Sequence, residues 1–249
     1  MVINFYNAKG GTGKSSLSFL TANYLSQKEK VLLCDLDPQA STTRAFLNTV
    51  EGEPEYNLFQ VLDESKKIKD CIFKINQNLD IIPSTLRVMK LQGQVYPLTL
   101  QNEFKKIKNI YKYIVLDNAP SFNNLIQSSI LASDIVIVPT LVSLFDFHEV
   151  GFVLDEIKKI NPGTDIKILL NRVNSKGLTK DDQDYIAQFH NSFNGRILNA
   201  IIPNTRLVAR YIDRGEKVNN RAKNKQEFIK TFGDFITEIT GERIDVEEF

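Results

Sequence analysis

The octapeptide Lys9-Gly10-Gly11-Thr12-Gly13-Lys14-Ser15-Ser16 constrains this chain more than any other stretch. It follows an apolar run, Met1 to Tyr6, and opens a second one, Leu17 to Leu25, with apolar residues at helical spacing. A strand, a glycine-rich loop and a helix, in that order, are the context that a phosphate-cradling P-loop requires. The residue types supply the chemistry. Gly10, Gly11 and Gly13 permit positive-φ backbone, which turns N–H groups inward at a helix N-terminus and makes an anion cradle. Lys14 adds a cation within reach of β- and γ-phosphates, and the Ser15 hydroxyl suits Mg²⁺. Position 8, a glycine in the common form of this loop, is Ala8, and Lys9 is a second lysine.

The pattern KGGxGK[ST][ST] resembles the deviant Walker A loop of the ParA/MinD superfamily of ATPases. By that resemblance, Lys9 to Ser16 bind ATP, and Lys9 reaches across a dimer interface to the partner's nucleotide. Taken by itself, Lys9 also reads as a solvated loop lysine.

Further along, Lys30 to Asp35 is a short apolar run that reads as a buried parallel strand. It delivers Asp35-Leu36-Asp37-Pro38-Gln39 at its carboxyl end, the end where open α/β sheets bind ligands. DxDPQ resembles the switch I motif of the ParA branch, whereas MinD-type relatives carry DxGLRN there. The resemblance gives Asp37 the attacking water and Asp35 a place in the Mg²⁺ shell. A turn with a helix cap is the plainer reading of the same residues. Tyr113 to Asp117 is a short buried strand ending in an acid, the Walker B pattern, which suits Asp117 to hold Mg²⁺ directly or through water. Its continuation, Asn118-Ala119-Pro120-Ser121, resembles the family's DxPPS with Ala119 in place of the first proline.

Other expected elements are a short helix at Leu58–Leu62, strands at Leu79–Pro83, Asp134–Pro139 and Ile166–Arg172, and helices over Leu98–Tyr111, Ser143–Ile160 and Thr179–Phe193. Repeated βα units with the P-loop after the first strand specify an α/β fold: a doubly wound, mostly parallel sheet with helices on both faces. Asn171, at a strand end, either contacts adenine, as in the superfamily, or closes the strand through its own side-chain turn. The run Ile197 to Asn204 resembles the family's IPxNxxL segment, whose backbone packs near the base, and this implies Pro203 and Asn204 as nucleotide contacts.

Arg206, Arg210, Arg214, Lys217 and Arg221 recur at steps of three and four, the spacing of one helical face. Gly215 is a candidate break, and Lys223, Lys225 and Lys230 continue the basic character of a segment at about 204–230. Such a stripe suits phosphate-backbone contact without base reading, and is also what a solvated face looks like. With a formal net charge of only +1, any nucleic-acid surface must be a local patch. No apolar run has the length of a membrane span, and the acidic end of the chain lacks a basic amphipathic anchor. Cys34 and Cys71 form no metal-ligand spacing and read as reduced core thiols, and His148 and His190 stand alone.

The resemblance spans essentially all 249 residues as one P-loop ATPase domain. With a strand beginning near Met1, no N-terminal helix-turn-helix domain is expected. It implies a cytoplasmic, nucleoid-associated protein that segregates a plasmid or chromosome. An ATP-bound, Mg²⁺-dependent homodimer would bind DNA non-specifically and be released when a ParB-like centromere-binding partner stimulates hydrolysis. A MinD-like membrane-positioned regulator and an ATP-dependent metabolic ligase share the loop. DxDPQ and the acidic tail argue against the first, and the lack of an acceptor-site constellation against the second. Cysteines placed as Cys34 and Cys71 are unsuited to bridging a dimer as in the nitrogenase iron protein.

Overall fold

Short segments that are apolar on both faces bury themselves between two helical layers. In this chain they become β1 (Val2–Phe5), β2 (Val31–Asp35), β4 (Leu79–Ile82), β5 (Tyr113–Asp117), β6 (Ile135–Thr140) and β7 (Asp165–Leu170), joined at one edge by the two-residue β3 (Phe73–Lys74). The computed structural model describes residues 1–48, 54–174, 177–214 and 223–246. The seven strands run in the order β3-β4-β2-β5-β1-β6-β7, and only the β3–β4 pair is antiparallel. The expected doubly wound sheet is therefore present, with β3 as an unanticipated edge. From β1 the chain first winds toward β2 and β4, then returns through β5 to β6 and β7. The loop after β1 thus sits where the winding divides, the usual ligand crevice of such sheets.

The strands alternate sides with a period of two. Val31 and Leu33 of β2 face one layer, and Leu32 and Cys34 face the other. The first layer holds α1 (Lys14–Leu25) and α2 (Ser41–Leu47). The opposite face is covered by α3 (Leu58–Leu62), α4 (Thr99–Lys105), α5 (Asn124–Leu131), α6 (Leu144–Ile160) and α7 (Lys180–Ser192). Two C-terminal helices, α8 (Arg206–Arg214) and α9 (Lys223–Thr240), join α1 on the first face. This end of the chain is rich in basic residues, yet α9 carries an apolar face. Phe228, Phe232, Phe235 and Ile236 are buried, and Phe235 meets Phe5 of β1 with ring centroids 6.3 Å apart.

Of the boundaries that differ from the sequence reading, two have clear local causes. The helix expected over Leu98–Tyr111 stops at Lys105, because Ile107 N bonds back to Phe104 O and Ile110 N to Ile107 O, tightening the chain and turning Ile107 into the core. Strand β6 runs through Pro139 to Thr140. Its last partner on β1 is Ile137, so the missing N–H of Pro139 breaks no ladder bond there, and Pro139 O accepts from Asn7 Nδ2 at 2.9 Å. Cys34 and Cys71 are free and buried, as expected. Among the described residues no helix is long and apolar enough to cross a membrane.

Truncating Phe235 to Ala should cost about 3–5 kcal/mol of stability, the range for a fully buried aromatic. Urea unfolding would measure it, and a loss under about 1 kcal/mol would mean that α9 is not packed as described.

Candidate functional site

The loop after β1 turns through Gly11 (φ 76°) and Gly13 (φ 97°), and Gly13 closes it as the N-terminal cap of α1. Gly10, expected to share this role, does not take positive φ, and a Cβ there would meet nothing within 4 Å. Gly13 is the constrained position: a Cβ would lie 2.2 Å from Asn171 Nδ2. Lys14 is buried, and its Nζ donates to Lys9 O at 2.8 Å, so this lysine is folded within its own loop. Burial holds its pKa below the usual lysine range, against the pull of Asp117 and Asp37. The Thr12 hydroxyl is fully buried and has no hydrogen-bond partner among the described residues.

Beneath the loop, β2 and β5 pair so that Asp35 lies opposite Asp117. Both are fully buried. Burial pushes each carboxyl above its usual range, and Asp117 adds to the effect on Asp35. Asp117 is met by the hydroxyls of Thr42 and Ser15, and Ser18 Oγ stands 3.5 Å away. Hard oxygens converge here below Lys14, a donor set that suits Mg²⁺. Asp35 stands one step behind. Its Oδ2 accepts from Thr43 N (2.8 Å) and Thr43 Oγ1 (2.7 Å), and its Oδ1 from Asp37 N (3.1 Å). That carboxylate organises the 37–43 segment. Asp37, 8% exposed, accepts from Gln39 N at 2.8 Å, and Ala40 closes the turn at φ 52°.

Lys9 points elsewhere. Its Nζ pairs with Asp146 Oδ1 at 2.9 Å and Glu149 Oε2 at 3.6 Å, both on the first turns of α6, and 31% of its side chain is exposed. Asp146 is held in turn by Ser143, the N-cap residue of that helix. The bond to Asp146 raises the Lys9 pKa. Sequence reasoning missed this pairing. Ser143-x-x-Asp146 is legible as a helix-start signature, but nothing in the pattern ties it to a lysine 137 positions earlier.

Beside Gly13 and Ser16 opens a cavity of about 460 Å³, closed on its far side by Pro203, Asn204 and the first turn of α8. Asn171 sits between loop and cavity: Nδ2 donates to Thr12 O (2.8 Å) and Oδ1 accepts from Arg172 N (2.9 Å). Of the two readings for Asn171, its own-turn contact is present, and the same amide braces the P-loop. Arg172, at φ 56°, and Arg206 also line the cavity. Of the proposed DNA stripe, Arg206 therefore stands at the cavity, and Arg210 is exposed on α8. The side chain of Arg214, together with Gly215, Lys217 and Arg221, lies outside the described residues.

Residues 1–170 match the family model described as "AAA domain" (AAA_31). A virulence-plasmid ParA family protein of Chlamydia psittaci is 37% identical over 142 residues, 54% of each chain. The sporulation initiation inhibitor Soj of Bacillus subtilis is 26% identical over 219 residues, 83% of this chain and 85% of Soj. A putative plasmid partition protein of Borrelia burgdorferi, in a crystal structure bound to AMPPNP, superposes with a TM-score of 0.82 at 25% identity, covering 95% of this chain and 98% of that one. The chain belongs to the ParA-type ATPases. In this ParA-type ATPase the expected loop, the two strand-end acids and the cavity are brought to one edge of the sheet, while Lys9 is turned toward α6. Thr42, Asp146, Arg172 and the cavity-side placement of Arg206 are additions that only the folded chain supplies.

Gly13→Ala should abolish nucleotide binding in a protein that still folds, because the new Cβ must displace Asn171 from the loop at a strained φ; equilibrium binding of a fluorescent ATP analogue checks it. The raised carboxyls carry a pH signature. A folded state whose acids hold protons more tightly than the unfolded state loses stability as pH rises from the ordinary carboxylate range into the neutral range. Thermal melting without nucleotide or Mg²⁺ should show that decline, and Asp117→Asn should flatten it.

Proposed function

We propose that this ParA-type ATPase segregates DNA by cycling between an ATP-bound homodimer that holds DNA non-specifically and a released form, with a ParB-like centromere-binding protein stimulating the hydrolysis that separates them. The observation that supports this reading best is the division of labour between the two loop lysines. Lys14 lies within the cradle on its own loop, and Lys9 is partly exposed at the flank, held by Asp146 and Glu149. A lysine so placed is available to a second subunit's nucleotide if it exchanges its carboxylate partners for phosphate.

Within one subunit, the N–H groups at Gly11–Ser15 and the ammonium of Lys14 bind and neutralise the phosphates. Ser15 and Asp117 would hold Mg²⁺, with Asp35 fixing the segment behind them; the ion, when bound, offsets charge on the β- and γ-phosphates. Asp37 orients the attacking water. Its Oδ1 is fixed by Gln39 N, and its Oδ2 carries no hydrogen bond among the described residues. Pro203, Asn204 and the bracing Asn171 form the base end of the pocket. The chain acts in the cytoplasm, at the nucleoid, as a single P-loop domain. The switch works only to the extent that ATP binds the closed dimer better than the open monomer.

Lys14→Ala should lose nucleotide binding, whereas Asp37→Ala should bind ATP and lose turnover by about 100-fold or more, accumulating as dimer. Lys9→Ala should bind ATP as a monomer and fail to dimerise in sedimentation velocity. An ATP-driven dimer in the Lys9 variant, equal to wild type, would remove the exchange of partners at its centre.

A further inference from the structure

The stripe of arginines at the C-terminal end is divided by the fold. Helix α8 is fastened to α1, the helix that the P-loop opens. Leu207 is buried in the shared core, the Tyr211 ring meets Phe19 edge-on with centroids 5.1 Å apart, and the Tyr211 hydroxyl donates to Asn23 Oδ1 at 3.0 Å. With that face fixed, the first turn of α8 becomes a wall of the 460 Å³ cavity, through Thr205, Arg206 and Ala209. Arg210 lies one turn on and is exposed, and it does not line the cavity.

We propose that Arg206 is a nucleotide contact, gripping the base end of the bound purine nucleotide, and that α8 thereby places a nucleotide-sensing arginine and a DNA-facing arginine, Arg210, on one short rigid helix. Two observations and the chemistry of the guanidinium point the same way. The polar side chain nearest the loop, Asn171, already spends its amide on Thr12 O and Arg172 N. Of the residues that line the cavity, Arg172 and Arg206 are the two that carry a charge, set among apolar neighbours such as Leu17, Leu20 and Val208. A guanidinium is planar, always charged and donor-only, suited to lie on a purine face or to donate to its acceptor atoms. Arg206 reaches the cavity from the helix and Arg172 from the end of β7, so the base would be held between elements from two parts of the chain. Occupancy of the cavity then fixes the first turn of the helix whose next turn carries Arg210. This rests on the reading of the cavity as an ATP site.

The test separates the two arginines. Wild type, Arg206→Ala and Arg210→Ala are compared for affinity to ATP by calorimetry. Each is then compared for binding to random-sequence duplex DNA, once at saturating ATP and once at an ATP concentration near the wild-type Kd. Both positions are exposed, so neither truncation threatens the core. Arg206→Ala should weaken ATP binding by about 10-fold, as expected for loss of one stacked or charge-assisted contact. Its DNA binding should fall at limiting ATP and recover at saturating ATP. Arg210→Ala should leave ATP affinity within about 2-fold and lose DNA binding at both concentrations, with a smaller salt dependence. Unchanged ATP affinity in Arg206→Ala, with DNA binding lost at saturating ATP, would return Arg206 to the DNA face and overturn the proposal. If wild type binds ATP but no DNA, the segregation reading fails, while the calorimetry still decides the role of Arg206.

Discussion

Two aspartates end adjacent parallel strands in register, and neither carboxylate reaches water. The functional edge of the molecule depends on how that buried charge is handled. Asp35 is satisfied by three donors from the segment that follows it, so folding that segment and tolerating the carboxylate are one event. Asp117 is met by hydroxyls and faces the space under Lys14, whose own charge is disfavoured by burial. A site in which acids are pushed up and a lysine is pushed down is short of a compensating cation and anion, and Mg²⁺ with a triphosphate supplies both. The Thr12 hydroxyl, buried within the same loop and without a partner among the described residues, fits that picture.

Much of this was legible in the sequence, because the features concerned are local. The glycine loop, Asp35-x-Asp37 and Asp117 each sit at the end of a short apolar run, and parallel topology places the ends of such runs on one edge. Gly13 was legible as permissive, but not as the residue pressed against Asn171. What remained hidden depends on contacts between distant segments. The Lys9–Asp146 pair, the bracing of the loop by Asn171 and the docking of α8 on α1 join residues separated by more than a hundred positions, which periodicity does not encode. The basic residues near the C-terminus were legible as a helical stripe. Their separation came from Leu207 and Tyr211, the apolar residues interleaved among them, which decide the face by which the helix packs.

The two lysines of the loop illustrate how position converts one chemistry into two roles. Lys14 begins a buried helix and is folded into the cradle; Lys9 precedes the first glycine and finds its partners on another helix. The paired carboxylates raise the Lys9 pKa and keep it charged, which a later contact with phosphate also requires. Exchange of one anionic partner for another costs less than creating a buried cation anew, because the lysine remains paired and partly exposed in the starting state.

The charge balance at the strand ends is tested most directly by calorimetry of MgATP binding at neutral pH in buffers of different ionisation enthalpy, with proton release by the nucleotide itself subtracted. Displacement of a proton from the raised carboxyls should release up to about one proton per subunit in the wild type and markedly less in Asp117→Asn. Binding of equal affinity with no proton release in the wild type would contradict the reading that burial raises these carboxyls in the nucleotide-free protein.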